Sequence, residues 1–306
     1  DYQSHSTVAK LNPLASGRYI ILFSNDSSFK YFKTKLEYSV IEPKSEKFAD
    51  NSMLGKLTSC PLAKQILECF RIEKYYEHQV DAINAIEKGM NVTVTTATCS
   101  GKSLIYTLPT AYSIINNKTF ENCKIIQIYP TKSLAQNQYE KLEKLSKYLK
   151  LINGNSQNEL KPHLFDGDVN QSNRQLARMN GNILLTNADM LHLSFLHNHG
   201  IWKDWISNLK YVIWDEVHYY DKLLGMQCAM INRRLKRLAK LYGNNSLQFI
   251  CCSATISNPL DFSSKFLGVP PQLIQSICIE GGFKSRKLVG IFKNRRKSPT
   301  TKRYLF

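Results

Sequence analysis

The chain has 306 residues, 43% of them hydrophobic, enough to bury a sizeable core as one large domain or two ordinary ones. Its 41 Lys and Arg against 24 Asp and Glu give a formal charge of +17, a field that favours polyanions such as nucleic acid or acidic membrane surfaces. No apolar run approaches the roughly 18 residues of a membrane span, and there is no secretory leader and no CxxC pair, which excludes a helical membrane protein or a disulfide framework and points to a soluble intracellular chain.

Residues 1 to 60 read as an N-terminal extension of open fold, within which RYIILF (Arg18 to Phe23) looks like a strand. The chain begins at Asp1 rather than Met, the mark of a piece of something longer. Pro61 to Phe70 reads as an amphipathic helix, followed by KYYEHQ (Lys74 to Gln79) and a helix continuing to about Lys88. From residue 91 short β-branched runs alternate with helical patterns. The strands are NVTVTT (Asn91 to Thr96), KIIQIY (Lys124 to Tyr129), NILLTN (Asn182 to Asn187), YVIWDE (Tyr211 to Glu216) and QFICCS (Gln248 to Ser253). The helices are Ser103 to Ile115, Ser133 to Leu149 and Leu223 to Tyr242, and the polar stretch Asn153 to Glu159 reads as a loop. Continuous apolar strands with intervening helices imply an α/β fold, a doubly wound, mostly parallel sheet with ligands at the carboxyl ends of its strands. Nine basic residues and no acid follow Glu280, so the tail reads as a solvated segment or as a nucleic-acid contact.

The chemistry sits at three strand ends. TATCSGKS (Thr96 to Ser103) lies between a strand and a helix, where consecutive backbone amides converge on phosphate oxygens. In this reading Thr98, Cys99, Ser100, Gly101, Lys102 and Ser103 bind the triphosphate of ATP. Lys102 reaches the β- and γ-phosphates and the Ser103 hydroxyl holds Mg²⁺. Thr96 takes the place of the first glycine of the strict pattern. WDEVH (Trp214 to His218) ends another strand with two adjacent carboxylates, so Asp215 is assigned to Mg²⁺ and Glu216 to the attacking water, although an ordinary acidic turn has the same letters. His218 reads as a hydrogen-bonding link from the ATP site to a neighbouring element, or as a structural histidine. Ser253 and Thr255 of SAT offer two hydroxyls at the same edge.

The order GKS, DEVH, SAT, each after a strand, resembles the first RecA-like lobe of a superfamily 2 helicase of the DExH type. SGKSLIY, YPTKSLAQNQ, TNADMLH, the segment after DEVH through RRLKRLAKLYG, and CSATISNP are more narrowly similar to the RecQ-like helicases of fungi and bacteria that carry a zinc-binding C-terminal domain, a fungal member being expected. The likeness covers Pro61 to Gly268, and Ala188 stands where that pattern expects a proline. It implies that Gln79 reads the adenine edge with Tyr75 or Tyr76 stacked on the ring. It implies that Thr131, Lys132, Thr186 and Asn187 contact the backbone of a single strand, and that Ser253 and Thr255 couple the two sites. Each strand-contacting residue also suits a helix cap or a turn.

The expected organisation is an extension (1–60), a RecA-like ATP-binding lobe (61–268) and a basic linker (269–306) towards a second RecA-like lobe missing from this chain. By the resemblance the activity is that of an ATP-dependent 3′ to 5′ DNA helicase in nuclear genome maintenance, acting on single-stranded or forked DNA. A nucleotide- and nucleic-acid-binding module with little turnover, and an RNA-directed DExH ATPase, are the alternatives.

Overall fold

The computed structural model describes residues 47–279 apart from 97–99, 117–122, 155–157 and 255, together with the backbone of four strands outside that span. Those four strands belong to a small unit formed by residues 1–45 and 283–306. In it β1 (Lys10–Pro13) pairs antiparallel with β2 (Tyr19–Leu22), and β3 (Leu36–Ile41) pairs antiparallel with β11 (Lys287–Phe292). The strand expected at RYIILF is thus present, and Lys287–Phe292 of the basic tail form a paired strand.

The larger unit spans Glu46–Gly282. After the short helix α1 (Lys56–Ser59) come α2 (Pro61–Phe70) and α3 (Glu77–Glu87). Then β4 (Asn91–Thr95), α4 (Lys102–Ile115), β5 (Lys124–Ile128), α5 (Lys132–Asn153), β6 (Pro162–Phe165), α6 (Gln171–Asn180) and β7 (Ile183–Thr186) alternate. Two short helices, α7 (Ala188–Met190) and α8 (Lys203–Ser207), lead into β8 (Leu209–Trp214), α9 (Lys222–Leu241), β9 (Gln248–Ser253), α10 (Pro259–Leu267) and β10 (Ile274–Cys278).

All seven strands from β4 to β10 form one parallel sheet in the order β10-β4-β9-β8-β5-β7-β6. The architecture is the expected doubly wound α/β sheet. Two of its strands escaped the sequence reading, because PHLF is short and IQSIC is a half-exposed edge strand with no clean apolar run.

Side chains alternate across each strand, so the core divides into two layers. Val92, Val94, Ile125, Ile213, Ile250 and Cys252 pack with α2 to α5 on one face. Ile126, Val212, Trp214, Phe249 and Cys251 pack with α6 to α10 on the other. Cys251 and Cys252 are therefore both fully buried, on opposite faces. Trp214 fixes the end of β8: its indole N–H donates to Asn232 Oδ1 of α9 at 2.9 Å, and Asn232 Nδ2 donates to the Phe266 carbonyl of α10 at 3.1 Å. The residue before Asp215 is thus locked to two helices.

Candidate active site

The strand order decides which loops meet. β9 lies between β4 and β8, so the loops after β4, β9 and β8, which carry GKS, SAT and DEVH, emerge side by side. Thr96 N–H donates to the Ser253 carbonyl at 3.2 Å, tying the first loop to the third.

The phosphate loop begins at buried Thr96, whose hydroxyl is 2.5 Å from Ser100 Oγ. Thr98 and Cys99 lie outside the described residues. Lys102 is buried, and its ammonium donates to the Thr96 carbonyl at 3.3 Å, across the mouth of the loop. Two side chains at the start of α3 hold the other end. His78 Nε2 sits 3.1 Å from the Ser100 carbonyl, an acceptor, so this ring nitrogen carries the proton; Gln79 Nε2 donates to the Gly101 carbonyl at 2.9 Å. With these two carbonyls held against α3, Gly101 adopts φ +74°, and α4 starts directly behind it.

Gln79 Oε1 also accepts the Tyr76 N–H at 2.9 Å, so both ends of its amide are engaged and its side chain is buried. Its second N–H and a second lone pair remain for an adenine edge. Tyr75 is buried in the core, which removes it as a stacking residue. Tyr76 is sandwiched between Phe48 and His78, at ring centroid distances of 5.0 and 5.6 Å, so neither face is open. Phe48, 57% exposed, presents the outer face of this stack; it lies 28 residues before Tyr76 in a segment without periodicity, and nothing in the sequence marked it.

At the end of β8, Asp215 Oδ1 accepts the Glu216 N–H at 3.0 Å and Oδ2 accepts the Tyr106 O–H at 3.0 Å. Burial, reinforced by the adjacent Glu216 charge, pushes the Asp215 carboxyl up to about 6, against the opposing pull of Tyr106, the Glu216 N–H and Lys102. Glu216 itself stands at φ +51°, a left-handed conformation rare outside glycine and asparagine. Its Oε2 is buried with no hydrogen-bond donor. His218 Nδ1 is 3.3 Å away, but that nitrogen accepts the Ala254 N–H at 3.3 Å, so it has no proton to offer Glu216 while the ring is neutral. Two half-buried carboxylates, one with an unclaimed oxygen, fit a hard cation and an ordered water. Among the described residues no three His, Cys, Asp or Glu side chains gather at metal-binding spacing. A cation at Asp215 and Ser103 would therefore share its shell with phosphate oxygens and water, as Mg²⁺ does.

His218 makes the link between neighbouring strands. Its backbone N–H donates to Ser253 Oγ at 3.1 Å, and Nδ1 lies 3.2 Å from the same hydroxyl. Ser253 is fully buried between the two loops. Thr255 lies outside the described residues.

The loops after β5, β7 and β6 form the other half of the same edge. Thr131 caps α5, its hydroxyl accepting the Leu134 N–H at 3.3 Å. Lys132 projects from the first turn and pairs with Asp168 at 2.6 Å on an exposed surface, a contact worth little against solvent. Thr186 corrects its expectation. It is buried, and its hydroxyl donates to the Phe165 carbonyl at 2.7 Å, so it joins β7 to β6 rather than offering a donor to a strand. Asn187 Oδ1 caps the helical turn at Met190 N, 2.9 Å away, leaving only its amide N–H₂ for an outside acceptor. No described helix is long and apolar enough to cross a membrane.

Residues 76–262 match the DEAD/DEAH box helicase family. The chain is 37% identical over 215 residues to the ATP-dependent helicase hrq1 of Schizosaccharomyces pombe, covering 69% of this chain and 20% of that protein. It is 36% identical over 203 residues to the ATP-dependent helicase YprA of Bacillus subtilis, covering 66% of this chain and 26% of that protein. Among solved structures, the DUF1998 helicase MrfA bound to DNA and AMPPNP superposes with a TM-score of 0.71 at 32% identity, over 86% of this chain and 35% of that one. The chain thus spans about a fifth to a quarter of the length of the curated relatives it matches.

Proposed function

Because the chain belongs to the DEAD/DEAH box helicase family, we propose that it is the ATP-binding motor lobe of a DNA helicase, coupling ATP hydrolysis to movement along a single strand in the 3′ to 5′ direction. The observation that carries this reading is the meeting of GKS, DEVH and SAT at three adjacent strand ends, joined by Thr96 to Ser253 and His218 to Ser253. DNA is favoured over RNA by MrfA, the DNA-bound relative at 32% identity. The RNA-bound Mss116 shares the fold alone, at 15%.

In this mechanism the amides at the start of α4 cradle the phosphates, and Lys102 exchanges the Thr96 carbonyl for the β- and γ-phosphate oxygens. Ser103 and Asp215 would hold Mg²⁺, which neutralises phosphate charge when bound. Glu216, with its unclaimed Oε2, accepts a proton from the attacking water. His218 passes the state of the carboxylate loop to Ser253 and Ala254. Gln79 presents its remaining N–H and lone pair to adenine, with Phe48 as the exposed aromatic of the pocket. Lys132, Thr131 and the Asn187 amide line the strand path, Lys132 releasing Asp168 to take a phosphate. A second RecA-like lobe completes the ATP site, and the setting is DNA repair in the nucleus.

The test is ATP turnover by a form containing the rest of the helicase, with single-stranded DNA or RNA as activator. DNA stimulation abolished by Lys102→Ala is expected, with unwinding of duplexes bearing a 3′ tail. Stimulation by RNA alone refutes the DNA assignment, and unwinding only of 5′-tailed duplexes refutes the polarity.

A further inference from the structure

Lys102 and Ser103 open α4, and Tyr106 lies three residues past Ser103 and four past Lys102, one turn further along the same helix face. That side chain is 1% exposed, yet it ends in a polar atom at the floor of the site: its O–H donates to Asp215 Oδ2 at 3.0 Å. The other Asp215 oxygen takes the Glu216 N–H at 3.0 Å. One donor on each oxygen defines the plane of the carboxylate and leaves each oxygen a further lone pair directed away from these donors. Around the phenol the floor is closed, with Tyr129 buried beside it and donating its own O–H to Gln127 Oε1 at 2.8 Å. Burial and the Tyr129 and Asp215 groups hold the Tyr106 phenol well above its usual range, so it is a neutral donor at any physiological pH.

We propose that Tyr106 is a positioning residue for Mg²⁺ binding: its hydrogen bond fixes the Asp215 carboxylate relative to Ser103, which the same helix carries. The helix that presents the phosphate loop thereby also aims the carboxylate of β8. This rests on the reading of Asp215 as a magnesium ligand given above, and acts on metal affinity rather than on nucleotide contact.

The test uses the chain itself, with binding of a fluorescent ATP analogue titrated against Mg²⁺ and then repeated in chelator. Tyr106→Phe keeps the ring and removes one O–H. The Mg²⁺ concentration for half-maximal enhancement of binding should rise roughly three- to tenfold, the range that one ordinary hydrogen bond supplies. Metal-free affinity and the melting temperature should stay close to wild type. Asp215→Asn should abolish the enhancement, and adding Tyr106→Phe to it should change nothing further. If Asp215→Asn removes the enhancement while Tyr106→Phe titrates like wild type, this inference fails alone. If Tyr106→Phe lowers the melting temperature and weakens binding equally with and without Mg²⁺, or does not fold, its role is structural packing and the inference is overturned. If wild type ignores Mg²⁺, or Asp215→Asn keeps its response, the magnesium reading falls and this inference with it.

Discussion

Replacing Gly101 with alanine tests the geometry of the phosphate loop at its tightest point. Gly101 has φ +74°, and a Cβ built on it would lie 2.5 Å from Gln79 Nε2. The left-handed conformation costs an alanine roughly 1–2 kcal/mol. The overlap must also push Gln79 aside, breaking its bonds to the Gly101 carbonyl and the Tyr76 N–H. Each is worth about 0.5–1.5 kcal/mol net, and water recovers part of this because Gly101 is exposed. The total is about 2–3 kcal/mol. A surface loop can relax out of such strain, whereas bound phosphate requires its native path, so the cost appears mainly in affinity. At about 1.4 kcal/mol per tenfold, ATP affinity should fall roughly 30- to 100-fold, with a melting temperature less than about 10 °C below wild type. Calorimetric or fluorescence titration measures the first and a thermal melt the second. ATP affinity within twofold of wild type in Gly101→Ala would refute the reasoning.

Three further outcomes follow from the same site. Glu216→Gln keeps the shape of the side chain and removes the proton acceptor, so ATP binding should persist while turnover drops about 10²-fold or more; a loss of binding instead would place Glu216 in nucleotide contact. Asp215 has a folded-state value of about 6, above the 3.8 of an ordinary aspartate, so the folded chain holds this proton more tightly than the unfolded one. Its contribution to stability is then present at low pH and lost as pH rises through about 6, an effect on the order of 3 kcal/mol. Asp215→Asn should therefore melt higher than wild type at pH 8 and nearer to it at pH 4, and equal differences at both values would contradict the burial argument. Strand affinity should fall with salt at roughly 0.7 log units per log unit for each phosphate contact. Lys132→Ala should lower that slope by less than one contact because Asp168 already competes for the ammonium, and a flat salt response in wild type would remove backbone binding altogether.

The sequence alone determined the local events. β-branched runs and helical spacing located β4, β5, β7, β8 and β9 within two residues, because strands buried on both faces must be continuously apolar. GKS, DEVH and SAT were legible because each needs particular atoms just after such a strand. Tertiary structure decided everything that depends on strand order. Placing β9 between β4 and β8 is what lets His218 meet Ser253, and β6 beside β7 is what consumes the Thr186 hydroxyl at the Phe165 carbonyl. Tyr106 and Asp215 are 109 residues apart and touch only because α4 packs over the end of β8. His78 and Phe48 likewise acquired their places from packing, not from any pattern around them. The physical reason is common to all four cases. A strand or a phosphate loop is specified by its own residues and neighbours in sequence, whereas the partner of a buried polar atom is specified by which elements the crossovers bring together, and that is written nowhere in a local pattern.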